Sequence, residues 1–276
     1  MSYYFSPKVL AYVLAHPGAL ESKQVELTVL MTDLRNFTTI SERLGAKGTF
    51  ELLNQVFEAQ TRTVLEFDAT LEHFIGDQFM CYWGAPDPQP DAADNAIKAA
   101  IALLKEMKNI RQTLEPEVQK LFGFGIAVNT GTAMIGNIGS LQRMDYGVVG
   151  DLINATARLE SLTKYYGTLF ILTQETLDAL SERPPYRLLD VVVPVGKTAA
   201  LKVIEIQHPY SPPVFAQIAA DYSIAYQYYQ QGDFEKAKRD FLALAETYDD
   251  GPSRLLAARC EELLQDNPKS WAGVYE

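Results

Sequence analysis

Two β-rich runs, 70–75 and 78–83, are separated only by Gly76 and Asp77. A two-residue connection is the length of a tight hairpin, whereas parallel neighbours need a crossover of roughly a dozen or more residues. This stretch therefore folds as an antiparallel pair, and the acid at its turn points somewhere specific. Residues 25–32 (VELTVLMT) read as a buried strand. A helical pattern follows over 49–67, with Leu52, Leu53, Val56, Phe57 and Leu65 on one side. After a proline-marked loop at 85–90 come an alanine- and leucine-rich helix at 92–114, strands at 121–128, 133–138 and 145–149, and a helix at 152–164. A strand at 168–172, a short helix at 174–180 and apolar runs at 187–193 and 200–206 close the region. Strands and helices alternate without a strict βαβ rhythm, so the expected class is α+β with a mostly antiparallel sheet.

The flanks differ. Residues 9–20 form a short amphipathic helix candidate, opened by Ser6-Pro7 and interrupted by Pro17-Gly18, which suits a connector. From Phe215 onward the pattern is helical only, at 216–230, 233–247 and 251–266, punctuated by Gly232 and by Gly251-Pro252. Tyr226, Gly232, Phe234, Ala237 and Phe241 have the spacing of a tetratricopeptide-like helix pair. One repeat cannot cover its own apolar face, so this tail must dock on the preceding domain, on a second protomer or on another partner. The expected division is a connector at 1–22, a central domain at 23–207 and a helical tail at 208–276.

Composition excludes several classes. A net charge of −11 and a sequence pI near 4.8 leave no basic stripe for nucleic acid. The two cysteines, Cys81 and Cys260, are too few for a disulfide framework or a thiolate zinc site, and a reducing cytoplasm suits them. The first residues lack a cationic stretch leading into an apolar one, and no apolar run reaches bilayer-spanning length. The chain is expected to be cytoplasmic, neither secreted nor membrane-spanning.

Four constellations bear on chemistry. Asp33, in Asp33-Leu34-Arg35-Asn36-Phe37-Thr38, stands at a strand end where an acid faces a cleft. Alone it reads as a loop residue or helix cap. Gly76-Asp77 alone is ordinary turn chemistry. Together, two carboxylates brought to one sheet edge are what hard divalent cations with a triphosphate partner require. The third constellation, 123–140 (GFGIAVNTGTAMIGNIGS), is glycine-rich but ends in no Lys-Ser or Lys-Thr and sits among strands, so it is not a phosphate loop. Its glycines mark close backbone approach and a turn. The fourth, 146–160, places Asn154 and Arg158 four apart on one helix face.

The ordered strings MTDLRNFTTISERLG, FIGDQFMCYWGAP, GIAVNTGTAMIGNIGS and YGVVGDLINATARLE resemble the successive signature segments of class III nucleotidyl cyclases, and the opening and helical tail resemble the flanks of bacterial, particularly cyanobacterial, members. The resemblance covers about 25–206. It implies a ferredoxin-like βαββαβ core with added strands and active sites shared between the protomers of a homodimer. It further implies conversion of a nucleoside triphosphate to a 3′,5′-cyclic nucleotide and pyrophosphate. By that resemblance Asp33 and Asp77 would bind two Mg²⁺ or Mn²⁺ ions, with the Leu34 carbonyl also on a metal. Asn154 would position the ribose, and Arg158 would neutralise charge developing on the α-phosphate.

This chain departs from the family pattern at several positions. His73 stands four before the hairpin acid, where adenylate formers commonly have lysine and guanylate formers glutamate. Gly147 occupies the second base-reading position and offers no side chain. A neutral imidazole both donates and accepts, which leaves the base open. Asn36 replaces the usual glycine of the phosphate-facing loop formed with Phe37 and Thr38. Val195-Gly196-Lys197 keeps one lysine of a usual pair, and Arg143 and Lys197 are candidates for the triphosphate tail. An active cyclase favouring ATP is the leading reading. Its alternatives are a guanylate or pyrimidine nucleotide cyclase, a degenerate nucleotide-binding dimerisation module, and a scaffold in which the tail binds a partner. Upstream sensory domains or a regulatory partner fit the family.

Overall fold

The structure, a computed structural model, describes residues 7–15, 21–140, 143–193, 200–266, 268 and 270–273. The chain runs α1 (Pro7–Ala15), β1 (Lys23–Arg35), α2 (Phe37–Leu65), β2 (Thr70–Ile75), β3 (Gln78–Trp83), α3 (Ala92–Thr113), α4 (Pro116–Leu121), β4 (Gly123–Ser140) and β5 (Arg143–Val149). It continues through α5 (Asp151–Tyr166), β6 (Phe170–Thr173), α6 (Gln174–Asp178), β7 (Tyr186–Val192), β8 (Leu201–Ile206), α7 (Phe215–Gln230), α8 (Phe234–Tyr248) and α9 (Gly251–Asp266). One sheet collects every strand in the order β2-β3-β1-β4-β6-β8-β7, with β5 paired to β4. Only the β4–β6 pairing is parallel among the described strands. The expected α+β class and the βαββαβ core, β1 to β4, are both present.

Alternation along the central strands decides which layer covers which face. Leu30, Leu34, Ile126 and Val128 join the main core with α2 and α3, through Val56, Ala100 and Leu103. The intervening residues point the other way. Leu27, Val29 and Met31 pack with Tyr82, Ile135 and Leu152, while Ala127 and Ile171 pack with α5 and the tail. Asp33, an odd-numbered neighbour of Met31, thus emerges on the α5 side of the sheet.

Three local expectations need correction. The runs 121–128 and 133–138 are one strand, β4, which pairs without interruption along β1 from Lys23↔Ile135 to Arg35↔Gly123. The glycines inside it mark close packing and not a turn: a Cβ at Gly131 would lie 3.3 Å from Leu152 of α5. Residues 116–121 begin with Pro116 at a first helical position and form α4. Helix α2 starts at Phe37, well before 49, and is broken at Gly45, whose φ of 65° and ψ of 176° divide it into two segments.

The tail docks on the same chain. Tyr222, Tyr226, Tyr229, Phe241 and Leu256 form one core with Leu159 and Tyr166 of α5 and with Leu189 and Val203 of the sheet. Buried ion pairs accompany this apolar contact. Arg259 of α9 meets Asp190 at 2.5 Å, and that carboxylate also accepts from the Tyr166 hydroxyl at 2.7 Å and the Tyr226 hydroxyl at 3.0 Å. Arg187 of β7 binds Glu205 at 2.6 Å and grips Asp250 with two hydrogen bonds of 2.9 and 2.7 Å. Such satisfaction is what permits charge in an apolar layer.

Candidate functional site

The acids come together at the end of β1. Pairing of Thr32 with Phe79 sets the β2–β3 turn beside Asp33, and Gly76 takes φ +64°, which a side chain would resist. Asp33 and Asp77 share a side-chain hydrogen bond. Burial, that bond, the charge of Asp77 and the charge of Glu160 push the Asp33 carboxyl up to about 7, against a smaller opposing effect of the Leu34 backbone N–H. Two carboxyls this close, with Asp33 raised by burial and by its neighbour, form a place where a divalent cation would stabilise the charged form. Among the described residues no cluster of three or more His, Cys, Asp or Glu side chains is placed to hold a metal. Two carboxylates, with a backbone carbonyl, water and phosphate oxygens completing the shell, suit Mg²⁺ or Mn²⁺ bound together with a nucleotide. The donor set fits the expected ions.

Asn36 follows directly, with φ 58° in the left-handed region that glycine and asparagine tolerate. This explains how it replaces a glycine there. Its Nδ2 donates to the Leu121 carbonyl at 2.8 Å, so the amide is tied to the end of α4. The Ile40 N–H bonds back to the Asn36 carbonyl. Phe37 and Thr38 open the first turn of α2, where unpaired N–H groups can receive an anion.

Asn154 and Arg158 lie on α5 with both side chains exposed, while Leu152, Thr156, Leu159 and Glu160 of the same helix are buried. Glu160 sits against Gly125, the register partner of Asp33, where an added Cβ would approach its Oε1 to 2.5 Å. Burial raises the Glu160 carboxyl, opposed by its Thr163 hydrogen bond and by the charge of Arg35. Arg35 donates to the Thr168 carbonyl. Glu160 and Arg35 thus brace β1 against α5 behind the acids. Neither was singled out from the sequence, where they read as members of a longer motif.

A bulge interrupts β2 at the expected base-reading position. Leu71 pairs with Cys81 and Phe74 with Phe79, three steps on β2 against two on β3, so one residue is extra between them. Glu72 is the side chain beside Gly147: its Oε1 would lie 2.8 Å from a Cβ there and accepts from the Val148 N–H at 3.3 Å. The Tyr82 phenol is pushed up by burial and then by the charges of Glu72 and Tyr146. Its hydroxyl is buried without a hydrogen-bond partner among the described residues. Glu72, one residue before the expected His73, was not singled out from the sequence. The side chains of His73 and Arg143, and all of Lys197, lie outside the described residues.

Comparisons with known proteins bear on the chain's family and fold. The family described as "Adenylate and Guanylate cyclase catalytic domain" matches residues 20–191. The chain is 28% identical over 195 residues to Adenylate cyclase 1 of Rhizobium meliloti, covering 69% of this chain and 29% of that protein. It is 28% identical over 216 residues to an adenylate cyclase of Anabaena cylindrica, covering 74% and 42%. It therefore spans less than half the length of these curated relatives. Among solved structures, the adenylyl cyclase CyaB from P. aeruginosa superposes with a TM-score of 0.61 at 27% identity, over 70% of this chain and 98% of that one. The guanylyl cyclase Cya2 does so with a TM-score of 0.58 at 28% identity, over 69% and 97%.

Proposed function

Because the chain belongs to the adenylate and guanylate cyclase catalytic domain family, we propose that it converts ATP to 3′,5′-cyclic AMP and pyrophosphate at sites shared by two copies. The observation that carries this reading is the Asp33–Asp77 pair, two carboxyls brought together where the end of β1 meets the β2–β3 turn. Bound divalent ions would supply Lewis-acid polarisation of the phosphate and of the attacking 3′-hydroxyl. Asp33, Asp77 and the Leu34 carbonyl would hold them. Asn154 orients the ribose so that its 3′-oxygen lies in line with the α-phosphorus, and Arg158 offers a fixed positive fork to charge spreading over the transferred phosphoryl group. The open first turn of α2, at Phe37 and Thr38, would receive the triphosphate tail, with Arg143 and Lys197 proposed as additional cations. No covalent nucleophile is required.

A homodimer is supported by apolar side chains left in water: Ile75 at the hairpin beside the acids, and Met134, Ile138 and Val149 on the β4–β5 ribbon, are all at least 41% exposed. A second copy would cover them and bring its own Asn154 and Arg158 to the acids. Among the described residues no helix is long and apolar enough to cross a membrane. A cytoplasmic location remains part of the proposal.

A second reading, GTP as substrate, is favoured by Glu72. An ionised carboxylate only accepts hydrogen bonds, and the guanine edge offers adjacent donors where adenine offers one donor beside an acceptor. ATP is preferred on the names of the adenylate cyclase relatives. Incubation with each of the four ribonucleoside triphosphates and Mn²⁺, with chromatographic identification of products, tests both readings. Cyclic AMP in excess supports the first and cyclic GMP the second; no cyclic product from any of them leaves a nucleotide-binding module.

A further inference from the structure

Away from the nucleotide site, on the α3 side of the sheet, a cavity of about 450 Å³ opens between α3, the start of β4 and residues 209–211 leading into α7. Its floor is apolar, made by Leu104, Met107, Phe122 and Phe124, all members of the main core. Lys108 and Arg111 line it from one face of α3, three residues apart. Arg111 donates through Nε to the Gln119 carbonyl at 2.8 Å, and Lys108 Nζ lies 5.2 Å over the Tyr210 ring. Among the described residues neither has a carboxylate partner, whereas Arg62, Arg187 and Arg254 each have at least one.

Volume, floor and charge together define an occupant. Pockets of roughly 300–1,000 Å³ hold small molecules. A hydrocarbon suits the floor, and a guanidinium whose Nε is already engaged keeps its terminal N–H groups for a planar anion. A neutral lipid would leave two cations unmatched, and a bare phosphate would leave the floor uncovered. The geometry points to a binding site for an amphipathic carboxylate, its head between Lys108 and Arg111 and its chain over Leu104, Met107 and Phe124. The cavity lies close to the acids in the ladder, since Phe124 and Gly123 pair with Leu34 and Arg35, the residues directly after Asp33.

Calorimetric titration of the full chain with decanoate, with decanol as the uncharged control, tests the site. Saturable binding at one site per chain is expected, with decanol weaker by about tenfold or more. The double variant Lys108→Gln, Arg111→Gln alters two exposed side chains and should lose about tenfold in affinity at an unchanged melting temperature. Leu169→Trp, on the cavity wall, keeps both cations but fills the space, and should abolish binding. Equal affinity for decanol, binding unaltered by both variants, or no saturation by decanoate would each overturn the proposal. All of these are read without turnover, so their failure is distinguishable from failure of the cyclase assignment.

Discussion

Asp33 has its proton held by burial and by Asp77, with its carboxyl raised to about 7. Between the ordinary carboxylate range and that value the folded, metal-free chain binds more protons than the unfolded one. Its stability from this group therefore falls as pH rises towards 7 and is level above it. A cation must displace the proton, so Mn²⁺ affinity should climb by up to about tenfold per pH unit below 7 and flatten above it. Calorimetry in buffers of different ionisation heat should show proton release on binding, lost in Asp33→Asn. Arg158→Ala should lower kcat by roughly 10²- to 10³-fold with an unchanged melting curve, as for removal of one preorganised oxyanion donor. An unaltered kcat would return Arg158 to an ordinary exposed helix residue. For base choice, Glu72→Lys should raise the ratio of ATP to GTP turnover more than His73→Lys does, because Glu72 is the side chain beside Gly147. The reverse order would place His73 in the base pocket.

Helix α5 joins the two halves of the chain at the scale of elements. Its exposed face carries Asn154 and Arg158, and its buried C-terminal half, through Leu159 and Tyr166, shares a core with α7, α8 and α9. The tail is thus part of what holds that helix against the sheet. Arg259→Met leaves Asp190 buried with its charged partner gone, an error that costs roughly 3–5 kcal/mol and should appear as a clear drop in melting temperature. Truncation after His208 strips the cover from Tyr166, Leu189 and Val203. The shortened chain should melt earlier and bind a hydrophobic dye. Equal stability of full and shortened chains would mean that the tail contributes nothing to the fold.

At the scale of the whole molecule, each protomer is expected to hold half of a site, with Asp33 and Asp77 of one copy working with Asn154 and Arg158 of the other. Asp33→Ala and Asn154→Ala should each be nearly inactive alone. Mixed, they form heterodimers in which one site is intact and the other carries both defects, because a twofold interface presents the same patch from each copy. Statistical exchange makes about half of the dimers mixed, so activity should recover to about one quarter of wild type. No recovery, with exchange confirmed by differently tagged subunits, would locate a complete site within one chain.

Local rules were enough for much of this molecule. The hairpin at Gly76-Asp77, the α+β class, the Asn154 and Arg158 spacing on α5 and the three tail helices were legible because turn chemistry and apolar period act over a few residues. Contacts between distant segments were not. The fold set Glu72 of β2 beside Gly147 of β5, a contact between distant strands that no local pattern announces. Continuous pairing with β1 made one strand of β4, although its glycines read locally as a turn. The left-handed Asn36 started α2 at Phe37, before any apolar period is visible. Asp190, inside an apolar run, found Arg259 across 69 residues of sequence, and both were buried because each charge satisfies the other. The pairing of Asp33 with Asp77 arose in the same way. The sequence names both acids, but only the sheet brings them close enough, and buries Asp33 enough, to raise its carboxyl to about 7.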